Sequence, residues 1–375
     1  MDRTTRTARA GLLLAGCLLV LMRVAPAAAG ASADDTARLL AGMTPAAGSP
    51  LSPFTRDGSW QRHAKHFDRA WAQLDKNQLS RIRAWSAEHL ARRQPVVYYM
   101  FSGPDFLYAD AFFPNAPTYV LSGLEPVGPV PDVEGLSPQG LSREVSRLQR
   151  SLNSVLNLSF FITKKMKTEL RGGRLSGTLP VLYVFLARSG KTIRETSLVA
   201  LDSEGGLHAE GEAGALKSTA KGAKIVFSGS DGKEQTLYYF STDLSDGGVK
   251  SSGFLKFCDG LGRGDSLLKS ASYLMHSDNF SKVRDFVLDR SNAVVQDDSG
   301  IPVRHFKEEE WELHPFGTYV GPISIFPRAY QPKLKELYRK VRPASLDFGI
   351  GYRWRPRQSN LLLAVGKGAK TAQGQ

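Results

Sequence analysis

The sequence predicts an α/β fold, because continuous apolar segments alternate with segments whose apolar residues recur at helical spacing. Three apolar segments have the length and composition of strands buried on both faces of a sheet. They cover residues 94–101, 118–121 and 178–187. Val97, Tyr119 and Leu182 are therefore expected in core strands. The predicted class is a mixed, mainly parallel sheet flanked by helices, with a Rossmann-like three-layer core.

The first two predicted strands flank a short helical segment that ends at Phe113. A strand, a helix and a strand in close succession form a βαβ unit, which requires a parallel strand pair. An antiparallel β insertion is expected at about 194–246, where short strands flank the turn residues 230–233. Further elements complete the prediction: helices at 160–170, 253–261, 266–275 and 279–289, and a closing hairpin of strands 348–354 and 360–365.

The segment before the first strand is helical in pattern. Residues 59–93 carry apolar side chains at helical spacing, and Asp75 to Asn77 can divide them into an N-terminal helical hairpin. Residues 30–57 are rich in Ala, Ser, Gly and Pro, which predicts a flexible tether that can contain one short helix. Apolar strands lie on both sides of every candidate linker, so residues 58–366 are predicted to form a single domain. A disordered tail is expected at 367–375.

The N-terminus has the layout of a secretory signal peptide. Three arginines precede the uncharged apolar stretch 10–22, and small residues follow at 27–31. The stretch is too short for a membrane-spanning helix, so residues 1–29 are predicted to direct export to the periplasm or the medium. This layout also suggests a bacterial source.

Residues Leu14-Ala15-Gly16-Cys17 resemble a bacterial lipoprotein lipobox, whose cysteine is acylated. Cys17 is therefore a candidate lipidation site, and an N-terminal lipid anchor is the only membrane attachment expected. Two routes stay open: cleavage after Ala29, or an envelope-anchored lipoprotein. Either way Cys258 is the one remaining cysteine, so no intrachain disulfide is expected.

The chain is basic, with 49 Lys and Arg against 36 Asp and Glu, a net charge of +13. Removal of residues 1–29, which hold four arginines and one aspartate, lowers it to +10. An exported basic protein meets anionic envelope polymers or lipid headgroups, and these are the expected partners. No nucleic-acid partner is expected.

The turn after the first strand is a candidate ligand site. Ser102, Gly103 and Asp105 follow that strand, and Glu125 follows the second strand. Ligands of α/β sheets bind at the carboxyl ends of strands, and an acid about 20 residues after the turn can bind a ribose. However, the turn has one glycine instead of three, Pro104 lacks an N–H, and Asp105 would repel a pyrophosphate. A capped structural turn is favoured and no cofactor is predicted.

A second polar cluster follows the apolar residues 293–295. Asp297, Asp298 and His305 could act as acid, base or cation ligands in catalysis. The Asp-Asp-Ser-Gly composition is equally typical of a plain β-turn, which is favoured. His63 and His66 share a helix face, but without a third ligand they predict solvated surface residues and no metal site.

Three short stretches, residues 101–105, 123–126 and 359–362, resemble bacterial exported proteins of unknown function. The resemblance implies no activity. Two functions remain open. The preferred one is a non-catalytic envelope protein, a binding or structural module with a degenerate Rossmann-like core. The alternative is a periplasmic hydrolase whose site uses Asp297, Asp298 and His305.

Overall fold

The computed structural model shows an α/β fold in which a ten-stranded mixed sheet is flanked by helices, as the sequence predicts. It describes residues 30–90, 94–158, 172–212 and 219–368. The predicted signal peptide with Cys17, the helix predicted at 160–170 and residues 369–375 of the predicted tail lie outside the described residues. Residues from Ala31 onward form one compact unit.

The strands are β1 Val96–Tyr99, β2 Thr118–Gly123, β3 Thr192–Leu201, β4 Leu207–Ala209, β5 Ala220–Ser228, β6 Glu234–Ser241, β7 Gly264–Leu268, β8 Ser291–Gln296, β9 Trp311–Gly317 and β10 Asn360–Gly366. The α-helices of the described residues are α1 Ala33–Leu40, α2 Gly58–Leu74, α3 Ser80–His89, α4 Phe106–Phe112, α5 Pro138–Leu158, α6 Leu179–Arg188, α7 Asp246–Ser252, α8 Phe254–Gly260, α9 Ser281–Arg290 and α10 Pro332–Val341.

The strand order in the sheet is β4-β3-β5-β6-β2-β1-β7-β8-β10-β9. The five central strands, from β6 to β8, run parallel to one another. Both margins are antiparallel, so five of the nine neighbouring pairs are antiparallel and a mainly parallel sheet is not confirmed. The predicted antiparallel insertion extends this same sheet, because β6 pairs with both β5 and β2.

The central strands are buried on both faces. In β1, Val97 and Tyr99 belong to one apolar cluster, together with residues of α2 to α6, while Val96 and Tyr98 belong to another, together with residues of α7 to α9. Alternate residues of a strand point to opposite faces, so helices cover the sheet on both sides. Val97 and the β2 residue Tyr119 are core strand residues, as predicted.

Leu182 is not in a strand, because residues 179–188 form α6. Every residue from Leu179 to Ala187 is buried, so the run is apolar on all sides and shows neither helical nor strand periodicity. Pro180 lies in the first turn, where its missing N–H costs no hydrogen bond. The sequence therefore predicts the burial of this segment correctly and its conformation wrongly.

The predicted N-terminal helical hairpin is also wrong. Residues 75–79 form a π-helical turn, so α2 and α3 continue through it without a reversal. The turn carries Gln78, whose side chain accepts from Gly349 N at 2.9 Å and donates to Trp354 O at 3.2 Å. This π turn consequently holds the segment that precedes β10.

The interval predicted as a flexible tether contains α1. Ser32 caps this helix by accepting from Asp35 N, and Leu39 and Leu40 are fully buried. One short helix in this interval agrees with the prediction, but its burial was not expected, since the low-complexity composition conceals an apolar helix face.

Two predicted elements near the C-terminus also differ. Residues 266–268 lie in β7 instead of a helix, and β10 pairs with β8 and β9 instead of with residues 348–354. The buried run 264–268 is too short for its periodicity to distinguish a strand from a helix.

Candidate functional site

A cavity of about 750 Å³ lies at the carboxyl ends of β1, β2, β6 and β7. Its lining includes residues 101–103 after β1, 124–125 after β2, 242–244 after β6 and 269–271 after β7. The strands end at the same edge of the sheet because they are parallel. β1 has β2 on one side and β7 on the other, so the chain changes direction across the sheet here. Ligands of open α/β sheets bind at such a switch point.

The structure brings together the four residues predicted from the first turn. Ser102, Gly103, Asp105 and Glu125 all line this cavity. Ser102 Oγ accepts from Ser122 N at 3.1 Å, and Gly103 N donates to Ser122 O at 3.0 Å. The turn after β1 is thus fixed against the end of β2, although ligand binding by these residues stays a prediction.

Glycine is required where the two turns meet. Gly103 has a φ of 55°, in the left-handed region that other residues avoid. A Cβ atom at Gly123 would lie 2.8 Å from Gly103 Cα and even closer to Glu125 Oε2. The two glycines therefore leave the space that the Glu125 carboxylate occupies.

Glu125 is a buried carboxylate on the cavity wall. The residue is 3% exposed, and its backbone oxygen accepts from Tyr239 Oη at 2.9 Å. Within the described part of the chain, its carboxylate has neither a hydrogen bond nor an ion pair. Burial raises the pKa of the Tyr239 hydroxyl, and the nearby Glu125 charge adds to this. The carboxylate lines the open cavity, so its hydrogen-bond donors come from water or from a ligand in that cavity.

A buried ion pair forms one end of the cavity. Lys269 Nζ lies 2.8 Å from Asp105 Oδ2, and both side chains are 2% exposed. Tyr99 Oη donates to the same carboxylate at 2.8 Å, and Tyr108 N donates to it at 3.3 Å as the cap of α4. Lys269 Nζ also lies 4.0 Å from the Tyr108 ring centre. The sequence does not predict the role of Lys269, which is distant along the chain from the other residues of the site.

Two cavity residues have unusual backbone geometry. Phe101 and Ser270 have φ values of 60° and 61°, and each lies two residues beyond the end of its strand. Such strain is concentrated at functional sites, because surrounding contacts must maintain it. The Ser270 hydroxyl is buried without a hydrogen-bond partner among the described residues.

The predicted acidic pair follows β8 and is buried. Asp297 accepts from Ser270 N at 3.4 Å and from both N and Oγ of Ser299. Asp298 accepts from Tyr273 Oη at 2.6 Å and from Asn360 Nδ2 at 2.9 Å. Burial raises the pKa of both carboxyls, and for Asp297 the Asp298 charge adds to the effect.

The acidic pair lies behind the cavity lining, one hydrogen bond away from the lining residue Ser270. Lys269 contacts Asp105 and the next residue, Ser270, contacts Asp297. Both Asp105 and Asp297 also raise the pKa of the buried Tyr99 hydroxyl, after the larger effect of burial. The two predicted clusters therefore lie on either side of one short segment.

His305 is not bonded to either aspartate. Burial lowers the pKa of this histidine, and the charges that lower it further belong to Arg284 and Arg304. Within the described residues its Nε2 atom is buried without a hydrogen-bond partner. The predicted catalytic set of Asp297, Asp298 and His305 is thus not joined in one hydrogen-bonded network.

The prediction that His63 is a solvated surface residue is wrong. His63 is 4% exposed, with Nε2 2.8 Å from Leu40 O and Nδ1 2.8 Å from Gln149 Nε2. Burial lowers its pKa to about 4. His66, on the next turn, is exposed as predicted. Among the described residues, no group of three or more His, Cys, Asp or Glu side chains is placed to hold a metal ion.

Comparisons with protein-family models, with curated proteins and with solved structures found no match. No helix in the described part of the chain is both long and apolar enough to cross a membrane.

Proposed function

We propose that this chain is an exported protein of the bacterial cell envelope that binds a small molecule in the cavity without transforming it. The cavity volume of about 750 Å³ supports this, because ligand pockets usually measure about 300–1,000 Å³. Apolar side chains form much of the lining, and a few buried polar groups are fixed among them. The unpartnered Glu125 carboxylate is the observation that favours a ligand most directly.

The central sheet supports a degenerate Rossmann-like core. Numbered along the chain, the five parallel strands have the spatial order 3-2-1-4-5, which matches the first five strands of the classical six-stranded dinucleotide-binding order 3-2-1-4-5-6. The first turn departs from the binding pattern, however. It has a single glycine, and Pro104 stands where a phosphate-binding N–H would be useful. The core is therefore proposed to keep the topology without the pyrophosphate site.

A periplasmic hydrolase is the second candidate function. The raised pKa of Asp297 and the strained Ser270 beside it favour this candidate. Two observations make it the weaker one. The Ser270 hydroxyl has no described hydrogen-bond partner that could act as its base, and His305 is not joined to the acidic pair.

Filling the cavity tests the proposed function. Ala271 lines the cavity, so Ala271→Trp should occupy part of it. The neutral fluorescent probe N-phenyl-1-naphthylamine should bind the wild-type chain, and the substitution should weaken its binding at least tenfold. Ala209→Trp, on the exposed strand β4, serves as the control and should leave binding unchanged. Equal binding by both variants would contradict the proposal.

Export and anchoring are a separate part of the proposal. The signal-like N-terminus supports transfer across the membrane, and the basic charge supports contact with anionic envelope polymers or lipid headgroups. Incorporation of radiolabelled palmitate in bacterial cells distinguishes the two routes. Labelling that is lost in Cys17→Ala supports the lipoprotein route, whereas an unlabelled mature chain that begins at Gly30 supports cleavage after Ala29.

A further inference from the structure

We infer that the cavity binds a nucleoside whose 5′ substituent is neutral or cationic, with the Glu125 carboxylate accepting hydrogen bonds from the ribose hydroxyls. This inference rests on the proposed function, since it names the ligand class of the same cavity. Four features support it: the position of Glu125 in the sheet, the unmet hydrogen-bonding capacity of its carboxylate, the apolar and aromatic surface of the cavity, and the charge of its lining.

The position of Glu125 matches the place where a doubly wound sheet holds a ribose. It follows β2, the strand beside the first parallel strand, at the switch point of the central sheet. A carboxylate at the end of this strand hydrogen-bonds ribose hydroxyls in dinucleotide-binding sheets. The requirement is geometric: the acid must face the crevice that opens between β1 and its neighbours, and Glu125 lines that crevice.

The Glu125 carboxylate needs donors. It is nearly fully buried, and none of the described residues donates a hydrogen bond to it. The vicinal hydroxyls of a ribose offer two O–H donors on adjacent carbons, which can satisfy both oxygens of one carboxylate. Hydrogen bonds to a charged acceptor are short and about twice as strong as neutral ones. Gly103 and Gly123 leave room for the carboxylate where the two turns meet, and so hold it on the cavity wall.

The rest of the lining fits a base. Phe101, Leu244, Phe280 and Ile323 contribute apolar and aromatic surface to the same cavity. Such walls desolvate the faces of a flat heterocycle, and aromatic side chains can stack on it. Leu124, Leu274 and Ile325 are 53%, 40% and 73% exposed on the cavity lining. Three of the eight large apolar side chains that are exposed in the described part of the chain thus lie where a ligand would cover them.

The charge of the lining disfavours phosphate. Of the described lining residues only Lys269 is basic, and Asp105 pairs with it at 2.8 Å. Glu125 and Asp243 add two further negative charges without an ion pair to either among the described residues. A 5′-phosphate would therefore enter an acidic cavity, whereas a 5′-hydroxyl or a 5′-ammonium would not be repelled.

Calorimetry on the full chain tests this inference with four probes: adenosine, 2′,3′-dideoxyadenosine, adenosine 5′-monophosphate and 5′-amino-5′-deoxyadenosine. We expect dideoxyadenosine to bind at least tenfold more weakly than adenosine. We expect the monophosphate to be weaker than adenosine and the 5′-amino compound to be at least as tight. Guanosine, cytidine and uridine complete the panel, since the ribose contact does not depend on the base.

A matched pair of variants locates the contact. Glu125→Gln keeps the shape but loses the charge, and should reduce the affinity for adenosine at least tenfold. Glu308→Gln makes the same chemical change at an exposed position and should have no effect. The comparison of adenosine with dideoxyadenosine on the unmodified chain tests the same contact even if Glu125→Gln does not fold.

The results of these experiments distinguish an error in the ligand class from an error in the proposed binding site. Equal affinities for adenosine and dideoxyadenosine, or tighter binding of the monophosphate, would overturn the nucleoside inference. So would the failure of all four ribonucleosides to displace N-phenyl-1-naphthylamine. In each case, if Ala271→Trp still abolishes binding of that dye, the cavity remains a small-molecule site. If the dye is unaffected by Ala271→Trp, the proposed function fails as well.

Discussion

Replacement of Lys269 by methionine should destabilise the fold strongly, because it leaves the Asp105 carboxylate as a buried charge without a cation. The two side chains are 2% exposed and their charged atoms lie 2.8 Å apart. Breaking a buried ion pair costs about 3–5 kcal/mol. Tyr99 Oη and Tyr108 N still donate to Asp105, so we expect the lower end of that range.

An exposed ion pair of the same length is the control. Lys256 Nζ lies 2.8 Å from Glu204 Oε2, but the side chains are 57% and 78% exposed. Exposed pairs contribute about 0–1 kcal/mol. Lys256→Met should therefore change the free energy of unfolding by less than about 1 kcal/mol. Burial is the main difference between the two pairs, so the comparison isolates the cost of an uncompensated charge.

Urea denaturation followed by circular dichroism gives the free energies, and a double-mutant cycle with Asp105→Asn gives the coupling. The double variant Lys269→Met with Asp105→Asn should lose less stability than the sum of the single changes, because no charge remains unpaired. Equal costs for Lys269→Met and Lys256→Met, or strict additivity in the cycle, would refute the assignment of a buried ion pair to the cavity.

Three further outcomes are expected. The pKa of His63 is lowered from 6.5 to about 4, so its contribution to stability is lost as the pH falls from 6.5 to 4, by about 3 kcal/mol in total. In urea unfolding at pH 7 and pH 4.5, His63→Gln should reduce this acid sensitivity and His66→Gln should not. Gly123→Ala should displace the Glu125 carboxylate, which calorimetry should detect as weaker adenosine binding and thermal melting as a lower Tm. Gln78→Leu should cost about 1–3 kcal/mol in urea unfolding, since it leaves two backbone groups without their hydrogen bonds; unchanged stability would contradict that role.

Local signals predict the central strands well. The apolar runs around Val97 and Tyr119, together with the short helix between them, define the parallel pair that the structure contains. The strand predicted around Leu182 is a helix, because a helix buried on every side has the same apolar composition as a buried strand. Apolar residues show a helical or strand period only when one face of the element is apolar and another is polar. Helix α6 has no polar face between Leu179 and Ala187, so it shows no such period.

The margins of the sheet could not be predicted from local patterns. β10 inserts between β8 and β9, so pairing along the sheet does not follow chain order. Such pairing depends on contacts between distant residues, which a single sequence does not display. The buried face of α1 is missed for a related reason, since small residues dominate the composition around it.

In the candidate site, too, residues placed by local sequence patterns could be predicted, whereas residues placed by the pairing of distant strands could not. The position of Glu125 follows from the βαβ pattern, because the strand ends set where its residues meet. Lys269 and Ser270 could not be placed, because their roles depend on the pairing of β7 beside β1. The adjacent carboxylates Asp297 and Asp298 have different partners, which agrees with the alternation of side chains at the end of a strand.

Native mass spectrometry of the full chain purified from cell envelopes tests the central claim most directly. We predict that the wild-type chain carries a bound small molecule and that Ala271→Trp lacks it, while Ala209→Trp retains it. A ligand retained by Ala271→Trp would contradict the proposed cavity site. So would a wild-type chain that carries no ligand and also fails to bind N-phenyl-1-naphthylamine.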